Sequence, residues 1–485
     1  MSAQNAPTPP PEAIKTHNSS GFRTALKYTG IPASWLDKRP KLPSRNWLIF
    51  LSITSSITGL YIYDRRQCKL IRQHYVDLVK DQAEVPVGAL DWPRRVTVLG
   101  SKWPGDEDYD QAIKYFRKYV KPILVAAAVD FEMIAGKRHG ELTDRIANEI
   151  RLRRRMDLGI DSTSDVTRAL PTYKPLPEAR RHALEGGFVL IGRPTLKEFL
   201  AGLKRGWTEG LEKIDRQEHL ARELESDGHF DELDEPTDDM DTFPSLDKSK
   251  VPTPMNSPVY SPLQIRPKTL TPSHNQEPST SESMNIPPTE LPPLPPLLLV
   301  TFTNYIGLSQ IPIMIWDFFN QRHKVRSGAE AGYRLVMKHT RPFVPPISEQ
   351  ESTLEDLTPQ TNFNQGDLDF DKHVERYYKK SLSSIPADIE KARKKYYEAL
   401  PAKLITARAL ARGTREPTKE EKENPPPTEV ELSAERMKKE LNWRRDLEGW
   451  EIVKPEAEVV WDERLKDSLH VFVDPPDETT FAESQ

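Results

Sequence analysis

The stretch Phe188-Val-Leu-Ile-Gly-Arg-Pro-Thr-Leu-Lys-Glu198 contains the change from strand to helix on which the fold class rests. Its first four residues are large and apolar and end at Gly192, a pattern typical of a buried β-strand. Thr195 and Glu198 have the spacing of a capping box, which predicts a helix that begins there. The apolar residues that follow recur at helical spacing, so the strand leads directly into an amphipathic helix: Leu196, Phe199, Leu200 and Leu203.

Two earlier alternations repeat this pattern. Val96–Gly100 and Val129–Ala135 are short strand-like segments, and each is followed by apolar residues at helical spacing. The first helix carries Tyr109, Ile113, Phe116 and Val120 and is expected to stop at Pro122, and the second carries Leu142, Ile146 and Ile150. Strands separated by helical runs indicate βαβ units, so we predict an α/β fold with a mostly parallel sheet.

Composition then divides the chain into the segments 1–45, 46–63, 64–221, 222–292, 293–345 and 346–485. The segment 222–292 is acidic at first and then rich in Pro, Ser and Thr, so it cannot bury enough apolar surface to fold and is predicted to be a disordered insertion. The α/β pattern resumes with Leu297–Asn304 as a strand and Ile306–Phe319 as a helix. A second membrane span here is disfavoured by Asp317, and a buried strand–helix pair is preferred.

The last segment, 346–485, is predicted to be a helical C-terminal extension. Val374–Arg412 and Leu432–Leu447 have helical character, and the Tyr-rich basic face of the first could lie on a membrane or, as we prefer, pack on the domain. Three tryptophans should dock the end of the chain, which closes with His470-Val-Phe-Val473, by aromatic burial: Trp443, Trp450 and Trp461.

A stretch without any charged residue, Asn46–Tyr63, precedes the α/β pattern. As a helix it would be about 27 Å long, enough to cross the hydrocarbon core of a bilayer. We predict a single transmembrane helix after a flexible segment 1–45; the alternative is a buried helix of a soluble core. Basic residues are balanced across the stretch and leave its orientation open. The anchor has aromatic rings at its ends and small or polar groups along one side suited to helix packing: Asn46, Trp47, Ser52, Ser55, Ser56, Gly59, Tyr61 and Tyr63.

Charge and residue types limit the functions of the chain. A formal net charge of −4 gives no support for nucleic-acid binding, which usually needs a strongly basic face. Cys68 is the only cysteine, so the sequence has neither a disulfide framework nor a thiolate metal site. The sequence has no phosphate loop, nucleophile elbow or His-Glu-x-x-His motif, and His139 and His470 are expected to be surface or packing residues. We expect no cofactor and no metal.

Three stretches resemble a known family. They are the anchor with its flanks, Leu42–Trp47 and Asp64–Arg66, then Asp91–Gly100, and then Pro312–Lys324. They look like the large membrane-anchored Tim subunit of the fungal mitochondrial carrier translocase of the inner membrane, and the resemblance covers most of the chain outside 222–292.

This resemblance implies a function and a set of partners. It implies a matrix-side N-terminus, one span, and a large domain in the intermembrane space. There the chain would act as a non-enzymatic scaffold for inserting multispanning carrier precursors, beside the channel-forming Tim subunit and the small chaperone Tim proteins. The family is also linked to the assembly of an inner-membrane AAA protease.

The α/β segment also resembles the nucleotide-binding half of diacylglycerol- and acylglycerol-type lipid kinases. Where those kinases carry Gly-Gly-Asp-Gly-Thr-Leu, this chain matches at Gly192, Thr195 and Leu196. Arg193 replaces the acidic residue, and Pro194 replaces a glycine and removes an N–H that could bind phosphate. We therefore predict a kinase-like α/β fold kept as a scaffold, with a degenerate phosphate-loop position. The alternative is a membrane-anchored lipid kinase or a lipid-binding protein.

Overall fold

The computed structural model of the protein describes residues 44–86, 88, 92–161, 173, 175–212, 215–230, 287–345 and 366–475. The chain forms two compact units, residues 1–63 and residues 64–485. The predicted flexible segment 1–45 lies almost entirely outside the described residues, and so does most of the predicted insertion, residues 231–286.

A 35-residue helix, α1 (Arg45–Val79), supplies the end of the first unit and the beginning of the second. From Arg45 to Tyr63 its side chains are exposed, so the alternative of a helix buried in a soluble core is wrong for this stretch. In the second unit α1 buries Asp64, Cys68 and Val79. None of the helices in the described part of the chain combines the length and the apolar composition that crossing a membrane requires.

The second unit alternates strands and helices. Its first half contains β1 (Arg95–Gly100), α2 (Gln111–Tyr119), α3 (Lys121–Ala126), β2 (Asp130–Ala135), α4 (Glu141–Asp157), α5 (Leu176–Gly186), β3 (Phe188–Ile191), α6 (Arg193–Thr208) and α7 (Arg216–Glu225). Its second half contains β4 (Leu297–Val300), α8 (Ile311–Phe319), α9 (Arg322–Met337), β5 (Thr340–Pro342), α10 (Glu375–Ser383), α11 (Ile385–Ala411), α12 (Lys419–Glu423), α13 (Glu429–Val453) and β6 (His470–Phe472). The predicted strands at the positions of β1, β2, β3 and β4 are confirmed.

Pro122 separates two helices. The helix α2 ends at Tyr119, and Pro122 falls in the first turn of α3, where a missing N–H leaves no hydrogen bond unmade. The predicted stop is therefore correct, but the chain starts a new helix there.

One sheet of six strands, in the order β2-β1-β3-β4-β6-β5, organises the second unit. All neighbouring strands are parallel except β5 and β6. The registers place Leu99 of β1 beside Ile134 of β2 on one side and beside Leu190 of β3 on the other. The predicted α/β fold with a mostly parallel sheet is confirmed.

Alternate residues of the strands pack into two hydrophobic cores on opposite faces of the sheet. On one face Val98 and Val189 pack with residues of α2, α3 and α9. On the other face Leu99 and Leu190 pack with residues of α4 and α6. This arrangement follows from the period of two along a strand, which sends successive side chains to opposite faces. The fold is a sheet covered by helices on both sides.

The C-terminal segment contributes to this sheet. The strand β6 pairs in parallel with β4 and antiparallel with β5, and Val471 lies beside Leu297. The segment 346–485, predicted to be a helical C-terminal extension, also supplies a strand that was not predicted: residues 470–472 complete the sheet. The predicted aromatic docking is observed, since Trp461 stacks on Phe343 with ring centroids 5.2 Å apart and Trp450 donates to the carbonyl of Leu382 (2.8 Å).

Two further expectations need correction. The boundary of the insertion at residue 222 is wrong, because α7 continues through Glu225 and residues 226–230 and 287–292 have defined positions. The predicted buried strand–helix pair is half wrong: β4 is buried, but α8 has no buried residue. The hydrophobic sequence of α8 predicted that this helix lies in the core, whereas its side chains lie on the surface.

Candidate functional site at the β3–α6 turn

The turn between β3 and α6 is formed by Gly192, whose φ of +77° is a conformation that side-chain-bearing residues rarely adopt. A Cβ at this position would also lie 3.3 Å from the Cβ of Phe302. The helix α6 begins at Arg193, with no side-chain cap at its N-terminus. The predicted capping box is therefore wrong, because Thr195 and Glu198 already lie within the helix.

Thr195 is buried and joins two strand ends. Its hydroxyl donates to the carbonyl of Ile191 (2.7 Å) and accepts from the backbone N–H of Ser101 (3.0 Å). Ser101 directly follows β1, so Thr195 fixes the carboxyl end of β1 to the first turn of α6. Its hydrogen bonds are thus made with the chain itself.

Arg193 and Lys197 bind one carboxylate from a distant part of the chain. Arg193 Nε donates to Glu375 Oε1 (2.6 Å), and Lys197 Nζ lies 2.7 Å from the same oxygen. The side chain of Arg193 is 4% exposed, that of Lys197 is 1% exposed and that of Glu375 is 11% exposed. We call these three residues the buried clasp, because they tie α6 to the start of α10.

Backbone carbonyls supply the rest of the coordination around the buried clasp. Arg193 Nη1 donates to the carbonyls of Leu368 (2.5 Å) and Phe370 (3.0 Å), and Lys197 Nζ donates to the carbonyl of Lys454 (2.9 Å). Burial lowers the pKa of Lys197, and its hydrogen bond and ion pair with Glu375 oppose that shift. Two cations share one carboxylate here, so carbonyl dipoles carry part of the electrostatic stabilisation.

Two more carboxyl groups near this turn are buried. Glu198 accepts from the backbone N–H of Leu142 (3.2 Å), and burial raises the pKa of Glu198 to about 8. Asp371 accepts from the backbone N–H of Phe302 (3.2 Å), and burial raises the pKa of Asp371 to about 6. Both carboxyls are bound to backbone within the fold. Within the described part of the chain, no three His, Cys, Asp or Glu side chains come together in a way that could hold a metal ion.

The structure thus brings the predicted positions Gly192, Arg193, Pro194 and Thr195 together at one buried turn. The groups that sequence analysis missed are Glu375 and the carbonyls around it, since Glu375 lies 182 residues after Arg193. One signal could have pointed to such a partner. Arg193 and Lys197 lie one turn apart on a helix whose other residues are mostly apolar, and buried cations require an acidic partner.

The predicted anchor residues lie on the exposed part of α1 in the first unit. Ser52, Ser55, Ser56 and Gly59 share one face of the helix by their spacing, and a Cβ added at Gly59 would meet nothing within 4 Å. The ring of Trp47 packs edge-on against Phe50 at the other end of the stretch, with ring centroids 5.7 Å apart. Asn46, Tyr61 and Tyr63 complete the predicted set on this exposed stretch. Their role as anchor residues stays a prediction.

Comparison with known proteins identifies the family. Residues 23–472 match the family described as "Inner membrane protein import complex subunit Tim54". The chain belongs to the Tim54 family. The match spans the exposed stretch of α1 and the strands and helices of the α/β unit, and it ends at the last residue of β6.

Relatives in several fungi carry the name "Mitochondrial import inner membrane translocase subunit TIM54". The protein of Cryptococcus neoformans is 38% identical over 465 residues, which cover 94% of this chain and 95% of the relative. The Aspergillus oryzae protein is 32% identical over 66% of this chain and 70% of the relative, and the Saccharomyces cerevisiae protein is 27% identical over 66% and 83%. The prediction of a mitochondrial inner-membrane protein-transport subunit is confirmed.

Proposed function

We propose that this Tim54-family chain is a non-enzymatic scaffold of the translocase that inserts multispanning carrier proteins. One helix, Asn46–Tyr63, crosses the inner membrane, the N-terminus lies in the matrix, and the α/β unit works in the intermembrane space. There it binds the channel-forming Tim subunit, the small chaperone Tim proteins and carrier precursors, and it assists the assembly of an inner-membrane AAA protease. Membership in the Tim54 family supports a place in an inner-membrane protein import complex. The resemblance in sequence supports the choice of these partners.

The proposal of a membrane anchor is supported by the exposure of an uncharged helical stretch. From Trp47 to Tyr63 every side chain is exposed and none is charged, so this apolar surface needs a cover other than water. Its serines and threonines lower its hydropathy, but a hydroxyl in a helix can be satisfied locally, and Thr54 Oγ1 donates to the carbonyl of Phe50 (2.8 Å). Such residues are common where membrane helices pack against each other.

The scaffold role is supported by the buried clasp. The turn that resembles a phosphate loop directs Arg193, Thr195 and Lys197 into contacts with the chain's own carboxylate, hydroxyl and carbonyl groups. A nucleotide phosphate at this turn would have to displace Glu375 from two cations. The buried clasp binds the C-terminal segment to α6. An α/β unit held together in this way suits a role in holding partners.

The anchor is tested by placing lysines within it. In isolated mitochondria we expect the wild-type chain to resist alkaline extraction and the double variant Ile53→Lys/Ile57→Lys to be released, since each lysine costs about 2.5–3.5 kcal/mol at the centre of a span. The control is Ile405→Lys, which puts the same change at an exposed position of α11 and should stay in the membrane. Release of the wild-type chain at alkaline pH would refute the span.

Orientation and partners need separate measurements. Protease added after rupture of the outer membrane should digest residues beyond Tyr63, and protection of that region would reverse the proposed orientation. Purification in mild detergent should recover the channel-forming and small chaperone Tim subunits with the chain. Recovery of an isolated chain under conditions that keep the translocase intact would refute the scaffold role.

A further inference from the structure

The helix α8, with the residue Leu308 just before it, exposes an unusual amount of apolar surface. Its nine residues include none that is buried. Trp316 is 71% exposed and Leu308 is 86% exposed. Further large apolar side chains are exposed along the same short element: Ile311, Ile313, Met314, Ile315 and Phe318. A contiguous patch of this kind on a folded unit marks a binding surface for a protein or a membrane.

Polar contacts hold α8 to the second unit. Before the helix, Gln310 Nε2 donates to the carbonyl of Tyr377 (2.9 Å) and Gln310 Oε1 accepts from the backbone N–H of Ile306 (3.0 Å). Near its end, Asp317 forms an ion pair with Lys324. The helix is therefore fixed at both ends by polar groups, while its apolar side chains stay exposed.

The end of α8 and the start of α9 contact the residues that directly follow the uncharged stretch of α1. Asp64 Oδ1 accepts from the backbone N–H of Arg322 (3.2 Å), and the guanidinium of Arg65 lies over the ring of Phe318, 5.6 Å from its centroid. Arg65 also donates to the side chain of Gln321. Asp64 and Arg65 directly follow Tyr63 in the sequence, so these contacts join the end of α8 to the residues next to the proposed span.

The charges around this junction are mostly positive. Asp64 and Asp317 are the acidic residues there, and the basic residues around them are more numerous: Arg65, Arg66, Lys118, Arg322 and Lys324. Basic residues of this kind beside a membrane helix attract anionic lipid headgroups. A helix that lies in the membrane interface typically has apolar residues, often including tryptophan, with basic residues beside them.

We propose that α8 lies in the interface of an anionic bilayer as a second membrane contact of the chain. Its apolar side chains insert beside the headgroups, and the basic residues bind lipid phosphates. The proposal rests on the proposed anchor, because Asp64 and Arg65 directly follow the anchor in the sequence. With two contacts, the α/β unit is held in a fixed orientation on the membrane surface and does not pivot on one helix.

The test uses single-cysteine probes on the full chain in vesicles. In a Cys68→Ser background, Trp316→Cys carries an environment-sensitive fluorophore, and Ile405→Cys, at a site 69% exposed on α11, serves as the control. The vesicles are phosphatidylcholine with or without phosphatidylglycerol, and quenchers are placed either in the lipid headgroup region or in water. We expect lipid quenching severalfold stronger at position 316 than at 405, increased further by phosphatidylglycerol.

Three outcomes would overturn the inference. The first is equal, purely aqueous quenching at 316 and 405. The second is protection at 316 only when other translocase subunits are present, which would assign α8 to a protein partner. The third is lipid quenching at 316 that is unchanged by phosphatidylglycerol, which would remove the role of the basic residues. A third probe at Ile53→Cys separates the proposals, since lipid quenching at 53 but not at 316 preserves the anchor and refutes the interfacial helix.

Discussion

The replacement Glu375→Gln removes the only carboxylate of the buried clasp. The amide keeps the shape of the side chain and one acceptor oxygen, so the main change is loss of the charge that Arg193 and Lys197 share. Both cations then stay buried without an anionic partner. Breaking a buried ion pair from one side costs about 3–5 kcal/mol, and the small exposed fractions of these side chains leave little solvent screening to reduce it.

The cost should appear as easier opening of α10. Each 1.4 kcal/mol is tenfold in an equilibrium constant, so local opening should become about 10² to 4 × 10³ times more frequent. Hydrogen–deuterium exchange of the amides in Glu375–Ser383 measures this opening directly. The control is Glu218→Gln, which breaks an exposed pair with Arg222 on α7 and should change exchange by less than about 1 kcal/mol.

A double mutant gives the stricter test. In the wild-type background Arg193→Met loses the bonds to Glu375 and to two carbonyls and should destabilise the fold by about 2–3 kcal/mol. In the Glu375→Gln background the same change removes an unpaired buried cation, so it should be neutral or stabilising. If Arg193→Met costs the same in both backgrounds, the three side chains do not form one electrostatic unit and the reasoning is refuted.

Three other predictions concern separate parts of the fold. Burial raises the pKa of Glu198 from 4.5 to about 8. The protonated carboxyl group therefore makes its full contribution to stability below pH 4.5, and this contribution is lost as the pH rises through about 8. Thermal unfolding between about pH 5 and pH 9 should show this loss of stability, and Glu198→Gln should reduce it. Gly206→Ala would place a Cβ 2.8 Å from the Cβ of Ile150 and should cost about 1–3 kcal/mol in urea unfolding, whereas Gly59→Ala, with open space around it, should leave the second unit unchanged. Burial raises the pKa of the Cys68 thiol, so maleimide should label the native chain slowly and the urea-unfolded chain quickly, and equal rates would contradict its buried position.

The residues near the β3–α6 turn show how far sequence reasoning reaches. Short-range patterns predicted β3 and the helix after it. They misplaced the start of α6, because Thr195 and Glu198 have capping-box spacing but bond to other parts of the fold. A capping motif is local, and here longer-range contacts use the same side chains.

The sequence by itself determined the alternating α/β order, the parallel sheet and the uncharged stretch of α1. These depend on local periodicity and composition, which are properties of neighbouring residues. Only the tertiary structure decided that Glu375 joins Arg193 and Lys197, that β6 enters the sheet between β4 and β5, and that α8 is exposed. The physical reason is that pairing across long stretches of chain, and the covering of an apolar face, depend on which surfaces the folded chain brings together, and an apolar run has the same periodicity whether protein, lipid or water faces it.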